Sequence, residues 1–325
     1  MFHQSKLVLI AAMAILFGCS KSSDQGQTET DSAGKGIKIA VIPKGSTHSY
    51  WKSVQAGALK AGEDLGVVIL WQGPQKEDDR QLQIQVVQNF ISRRVNAIVL
   101  APLDDKSLVQ PVHTAVQKGI PVVIIDSGLS GSDFSSFVAT DNFMGGKLCA
   151  KLLAEKLGGK GKVALLRYQE GSASTGRREE GFLAGIKEYA PEIEILVDNQ
   201  YAGATIEKAF QTSQNMLNRF GQINGVFASN ESATMGMLRA LKTAGKTKTV
   251  KFVGFDANKD LINSLKAGEI DGLAVQDPYR MGYEGVKAAV AIVKKQPFEK
   301  SVDTGIQIVT KENLDAEEVK SLLNF

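Results

Sequence analysis

The sequence predicts an α/β protein built as two lobes, each a parallel sheet covered by helices on both faces. Three observations predict it. From Ile37 onward, short apolar runs of strand length alternate strictly with stretches of helical period, the pattern of repeated strand–helix–strand units. The runs are apolar at successive positions rather than at every second one, as strands buried on both faces are. Without its leader the chain has roughly 300 residues, about where a single core stops growing and a second begins. Its rhythm also breaks around Ser127–Asn142, where Gly, Ser and Asp surround a lone strand-like Phe137-Val138-Ala139.

The elements follow in order. Residues 1–18 join a cationic start (Lys6) to the apolar run Leu7–Phe17 and end on Gly18, which reads as a secretory leader too short to cross a bilayer. Cys19 stands at the first mature position, and the pattern resembles a bacterial lipoprotein signal. That resemblance implies acylation of Cys19 and a protein tethered by lipid in the periplasm or at the cell surface. Residues 19–36 hold this Cys and the stretch Ser20–Lys35, rich in Ser, Gly, Gln, Thr and Asp, which cannot offset the entropy of ordering and reads as a flexible tether. Strands are expected at Ile37–Ile42, Val67–Trp71, Asn96–Leu100, Val122–Ile125, Val163–Leu166, Ile193–Val197, Gly225–Ala228, Phe252–Phe255 and Leu273–Val275. Helices are expected at Trp51–Leu65, Arg80–Arg93, Ser107–Lys118, Gly145–Leu157, Arg177–Tyr189, Thr205–Phe220 and Ala233–Ala244.

Composition narrows the function. The net charge is +3 with both signs interspersed, so no basic face for nucleic acid is indicated. Besides Cys19 there is only Cys149; it lies among Leu148, Leu152 and Leu153 and reads as a small core residue. His48 and His113 have no partner at metal-ligand spacing, so no metal is expected. Gly158-Gly159-Lys160-Gly161-Lys162 lacks the spacing of a phosphate-cradling loop and reads as a turn. No Gly-x-Ser-x-Gly elbow is present, and Asp78-Asp79 and Asp104-Asp105 read as helix-start charges rather than catalytic pairs. Neither an enzyme nor a cofactor is expected.

In an open parallel sheet, ligands bind beyond the carboxyl ends of the strands. Those positions hold Lys44, His48, Tyr50 and Trp51 after the first strand, and Asp126-Ser127 after Val122–Ile125. In the second half they hold Arg178, Ser229-Asn230-Glu231, Asp256, and Gln276-Asp277. Carboxylates accept bonds from neighbouring hydroxyls, Arg donates in a fork, amides do both, and aromatic faces cover the C–H surface of a ring. This is an inventory for gripping a small polyhydroxylated molecule. Each member has a plainer reading: Asp and Asn can simply cap the next helix, Tyr50 and Trp51 can be core, and Arg177 reads as an exposed helix charge.

The series Ala56-Gly57-Ala58, Ile120-Pro121-Val122-Val123-Ile124-Ile125-Asp126, Ala139-Thr140-Asp141-Asn142, Gly145-Gly146, Arg178-Glu179-Glu180-Gly181-Phe182, Val226-Phe227-Ala228-Ser229-Asn230-Glu231, Val253-Gly254-Phe255-Asp256 and Leu273-Ala274-Val275-Gln276 resembles the periplasmic ribose/galactose-type sugar-binding proteins of ABC importers. The resemblance runs from Ile37 to about Lys311. It implies two Rossmann-like lobes of the type I periplasmic binding protein fold, joined by a three-strand hinge near Thr140-Asp141, Gln276-Asp277 and Gly305. Residues 37–140 with 278–305 would form one lobe, and 141–277 with 306–325 the other. It further implies a monomer that closes by hinge bending on a monosaccharide or similar polyol and delivers it to an ABC permease. By position, Asp126, Arg178, Asn230, Asp256 and Gln276 match the family's sugar-bonding residues, Tyr50 and Trp51 its aromatic pair, and His48 a polar neighbour.

Departures from the family bear on ligand identity. Ser127 stands where ribose binders carry Arg, Lys44 replaces a small hydroxyl residue, and Trp51 is bulkier than the usual Phe. The aromatic of the second lobe falls near Ala204, with Tyr201 the nearest substitute. Lys44 either replaces the charge missing at Ser127 or selects an acidic or otherwise modified ligand. A sensor of the same fold, presenting its closed form to a chemoreceptor or sensor kinase, is the alternative function. A transcription repressor of this fold is disfavoured by the export signal and by the lack of a helix-turn-helix before Ile37.

Overall fold

Residues 36–323 are described by the computed structural model; the leader, Cys19 and most of the tether lie outside them. The first half contains β1 (Lys38–Ile42), α1 (Ser49–Leu65), β2 (Val68–Trp71), α2 (Arg80–Ser92), β3 (Ala97–Leu100), α3 (Val109–Gln117), β4 (Val122–Ile125) and β5 (Ser136–Ala139). The second contains α4 (Asn142–Leu157), β6 (Lys160–Arg167), α5 (Ala173–Tyr189), β7 (Glu192–Tyr201), α6 (Ile206–Arg219), β8 (Gly225–Ala228), α7 (Glu231–Thr243), β9 (Lys251–Phe255), α8 (Lys259–Lys266) and β10 (Gly272–Gln276). The chain ends with α9 (Pro278–Val293), β11 (Ser301–Asp303), β12 (Ile306–Val309) and α10 (Glu317–Leu322).

Two six-stranded sheets result, ordered β11-β5-β4-β3-β1-β2 and β12-β10-β9-β8-β6-β7. Every pairing is parallel except β10 with β12. The protein is therefore two α/β lobes with mostly parallel sheets, and the order of the first five strands is the same in both. Apolar residues at successive positions have a direct use here. Ile39 and Val41 of β1 point into one core of the first lobe, while Ala40 and Ile42 point into the core on the opposite face. In β6 of the second lobe, Ala164 and Leu166 alternate with Val163 and Leu165 in the same way.

The chain crosses between lobes three times. After β5 it enters α4, which packs on α5 and β9. After β10 it returns through α9, which packs on α1 and β4. Between β11 and β12 it crosses again at Thr304-Gly305, where the Thr140 hydroxyl donates to the Gly305 carbonyl at 3.2 Å.

Two helix pairs clamp the lobes through glycine. A Cβ on Gly146 of α4 would overlap the Arg178 carbonyl of α5, and one on Gly181 would overlap the Phe143 carbonyl. Gly57 and Gly282 bring α1 and α9 together in the same manner. Cys149 is buried in the core beside Phe182 and Val253, and burial pushes its thiol pKa up.

Candidate functional site

The carboxyl ends of both sheets face one narrow cavity, the place where open parallel sheets hold their ligands. All nine residues singled out from sequence line it: Lys44, His48, Tyr50, Trp51 and Asp126 from the first lobe, and Arg178, Asn230, Asp256 and Gln276 from the second. Glu77, Tyr168, Ser174, Thr175 and Glu231 complete the wall.

Asp126 and Asp256 hold matching places, each directly after the fourth strand of its lobe. Both adopt left-handed backbone, φ 64° and 69°, a conformation that Asp tolerates better than most residues and that recurs at functional sites. Their amides donate to the next strand, Asp126 to Val138 at 3.0 Å and Asp256 to Ala274 at 2.8 Å. The bend leaves each carboxylate on the cavity wall. Burial raises the Asp256 pKa to about 6 against the opposing pull of Arg178.

Arg178 is held on several sides. Its Nε donates to Asn142 Oδ1 at 2.7 Å, its Nη1 to the Ser229 carbonyl at 3.0 Å, and its guanidinium lies 3.9 Å from the centre of the Phe255 ring. Those bonds use two of its five N–H donors. Gln276 donates from Nε2 to Asp256 Oδ1 at 2.6 Å, while its Oε1 is buried without a donor. Asn230 does two jobs: its Oδ1 caps α7 through the Ala233 amide at 3.1 Å, and the side chain also lines the cavity.

Lys44 is committed to Asp126. Its Nζ lies 2.8 Å from Asp126 Oδ2 and donates to Ser174 Oγ at 3.0 Å. Tyr50 donates from its hydroxyl to the other oxygen, Oδ1, at 2.8 Å. Burial and the neighbouring carboxylates push its phenol pKa up, which keeps it a donor.

Glu77 organises the aromatic wall. Its Oε1 accepts from Trp51 Nε1 at 2.7 Å and lies 2.7 Å from His48 Nδ1; its Oε2 accepts from Tyr168 of the opposite lobe at 2.7 Å. Burial opposes a charged imidazole, but Glu77 prevails and lifts the His48 pKa to about 9. Burial opposes the Glu77 charge as well, yet His48, Lys44 and the Trp51 N–H bring its pKa down to about 2. Tyr50 and Trp51 meet edge to face at 5.0 Å. Both belong to the first lobe's apolar core as well as to the cavity wall.

The model of the periplasmic binding protein domain matches residues 39–297. The chain belongs to that family. It is 27% identical over 310 residues to the ribose import binding protein of Bacillus subtilis, covering 94% of this chain and 98% of the relative. Among solved structures, a carbohydrate transporter solute binding protein of Agrobacterium radiobacter in complex with D-arabinose aligns with a TM-score of 0.87 and 36% identity, over 89% of this chain and 99% of the other. An ABC transporter solute binding protein of Agrobacterium vitis with bound D-fucose aligns at 0.85 and 38% identity, over 88% and 99%.

Within this fold the second-lobe aromatic comes from a place the sequence did not suggest. Tyr201 is exposed and absent from the cavity, and Tyr168, one residue beyond β6, supplies the ring. Glu77 is missed because it sits in the acidic run Glu77-Asp78-Asp79. Only Asp79 caps α2 there, accepting from the Leu82 amide at 2.9 Å. Reading the end of β2 by the strand-end rule applied elsewhere would have found Glu77.

Proposed function

We propose that this protein is an extracytoplasmic binding protein for a neutral monosaccharide or similar polyol, which it captures between its lobes and presents to an ABC importer. The observation that carries this is the cavity's hydrogen-bonding demand. The buried Oε1 of Gln276 lacks a donor, while Arg178 retains N–H groups not used by the protein. A guest must therefore donate and accept at several points, and hydroxyl groups do both. Charge argues for neutrality. The cations Lys44, His48 and Arg178 face the carboxylates of Glu77, Asp126, Glu231 and Asp256, leaving no surplus of positive charge for a sugar acid. Lys44 serves Asp126 rather than an anionic guest. Apolar ring faces of Trp51 and Tyr168 suit the C–H surface of a sugar ring.

The relatives' ligands, ribose, D-arabinose and D-fucose, are neutral monosaccharides and support the same reading. The lipoprotein-like leader supports export and anchoring through Cys19. A thermal-shift panel of pentoses, hexoses, deoxyhexoses, polyols and uronic acids tests the proposal. At 100 times its dissociation constant a ligand stabilises by about 2.7 kcal/mol, and neutral sugars should give that shift where uronic acids give none. A panel in which uronic acids alone stabilise the protein would overturn it.

A further inference from the structure

The lobes are joined across the cleft by a reciprocal exchange of helix caps. Six helices are capped by side chains of their own segments, namely Asp79, Asp141, Thr205, Asn230, Asn258 and Asp277. Among the described helices α3 and α10 are not, and neither is the first helix after the leading strand of each lobe. At the start of α1, His48 makes no side-chain cap bond and no acid stands in the first turn, because the imidazole is turned to Glu77. At the start of α5, Ser172 makes no cap bond either. Free amides at such a terminus need acceptors.

In both cases the acceptor comes from the other lobe. Glu231, on α7 of the second lobe, accepts from the Ser49 amide at 3.4 Å and the Tyr50 amide at 3.1 Å, and its Oε1 is steadied by Asn258 Nδ2 at 3.0 Å. Ser127, after β4 of the first lobe, accepts on its Oγ from the Ser174 amide of α5 at 3.1 Å. The carboxylate of Glu231 also sits at the positive end of the α1 dipole. Both capped helices carry cavity residues, Tyr50 and Trp51 on one and Arg178 on the other.

We infer that Glu231 and Ser127 form a reciprocal latch: each caps the leading helix of the opposite lobe, and the two bonds form and break together as the cleft closes and opens. They are positioning residues. They favour the closed arrangement whatever guest is present, so they set affinity without setting preference. This inference rests on the hinged opening of the proposed function but not on the identity of the guest.

Hydrogen exchange measured on the full chain tests it, comparing wild type with Glu231→Gln and Ser127→Ala, each with and without D-arabinose. Both substitutions are small, and unchanged exchange in the β4 strand verifies the fold. If the latch is reciprocal, Glu231→Gln speeds exchange at Ser174 as well as at Ser49 and Tyr50, and Ser127→Ala speeds it at Ser49 and Tyr50 as well as at Ser174. The expected change is about tenfold, the factor for losing one helix cap. A variant that frees only the amide it bonds directly would overturn the inference, as would wild-type amides unprotected in both conditions. Titration of ribose, D-arabinose and D-fucose supplies a second readout. Affinities should fall by one common factor in Glu231→Gln, whereas a changed ranking would make Glu231 a guest contact instead. Failure of every sugar to bind would strike the proposed function and leave the exchange result to decide the latch.

Discussion

Asp126 and Arg178 differ from most residues of the cavity in what their loss would leave behind. Replacing Asp126 by Ala leaves Lys44 and the Tyr50 hydroxyl buried without their acceptor, and replacing Arg178 by Ala leaves Asn142 and the Asp256 carboxylate without their cation. Uncompensated buried groups of this kind cost several kcal/mol. Asp126→Ala and Arg178→Ala should therefore abolish sugar-induced thermal stabilisation. The pair His48 and Glu77 gives a pH signature. Glu77 is ordinary at 4.5 and about 2 when folded, so its contribution is present above 4.5 and lost as pH falls through 2. His48 moves from 6.5 to about 9, so its contribution is complete below 6.5 and lost as pH rises through 9. The melting-temperature difference between wild type and His48→Gln should be largest between pH 4.5 and 6.5 and should shrink toward pH 9. Asp256 runs the other way for a carboxylate. Its contribution is present below 3.8 and lost as pH rises through about 6, and a guest hydroxyl donating to the ionised form offsets that loss. Calorimetry at pH 5 should show weaker sugar binding than at pH 7.

At the scale of elements, the glycine contacts set where the cavity residues stand. Gly146 lets α4 touch the backbone of α5 at Arg178 itself. Gly146→Ala must push α5 outward, with a loss of about 1–3 kcal/mol from overpacking and weaker sugar binding through the displaced Arg178; chemical denaturation and calorimetry measure the two effects. Most elements were legible because their apolar runs are buried on both faces, as β1, β4 and β8 are. The strands that were not share a physical reason, whereas α8, α9 and α10 were simply left out of the expected helices. β11 is three residues long with exposed ends, and β12 is interrupted by the exposed Gln307, so neither shows a continuous apolar run. β6 and β7 extend beyond their expected ends because Lys160, Glu192, Gln200 and Tyr201 are paired in the ladder without being buried in the core. The longer β6 is also what carries Tyr168 to the cleft, which is why Tyr201 looked the nearer aromatic. Glu231 was visible at a strand end, but its bond to a helix of the other lobe depends on closure and has no signal in sequence.

For the molecule as a whole, two copies of one strand order face each other, and chemistry gathers where their carboxyl ends meet. Contacts across the cleft are numerous and polar: Lys44 to Ser174, Tyr168 to Glu77, Arg80 Nη2 to the Glu170 carbonyl at 2.8 Å, and the Asp105 amide to the Gly171 carbonyl at 2.9 Å. Such bonds exchange readily with water and suit lobes that open and close, unlike the apolar cores within each lobe. Small-angle scattering should therefore record a smaller radius of gyration on addition of a binding sugar. The central claim is that one cavity, walled by both lobes, holds a neutral hydroxyl-rich guest through Asp126 and its partners. Calorimetric titration of the wild type and of Asp126→Ala with D-arabinose, D-fucose and ribose tests it most directly. The account predicts one molecule of at least one of these sugars bound per wild-type chain and none bound to the variant; equal binding by both proteins would contradict it.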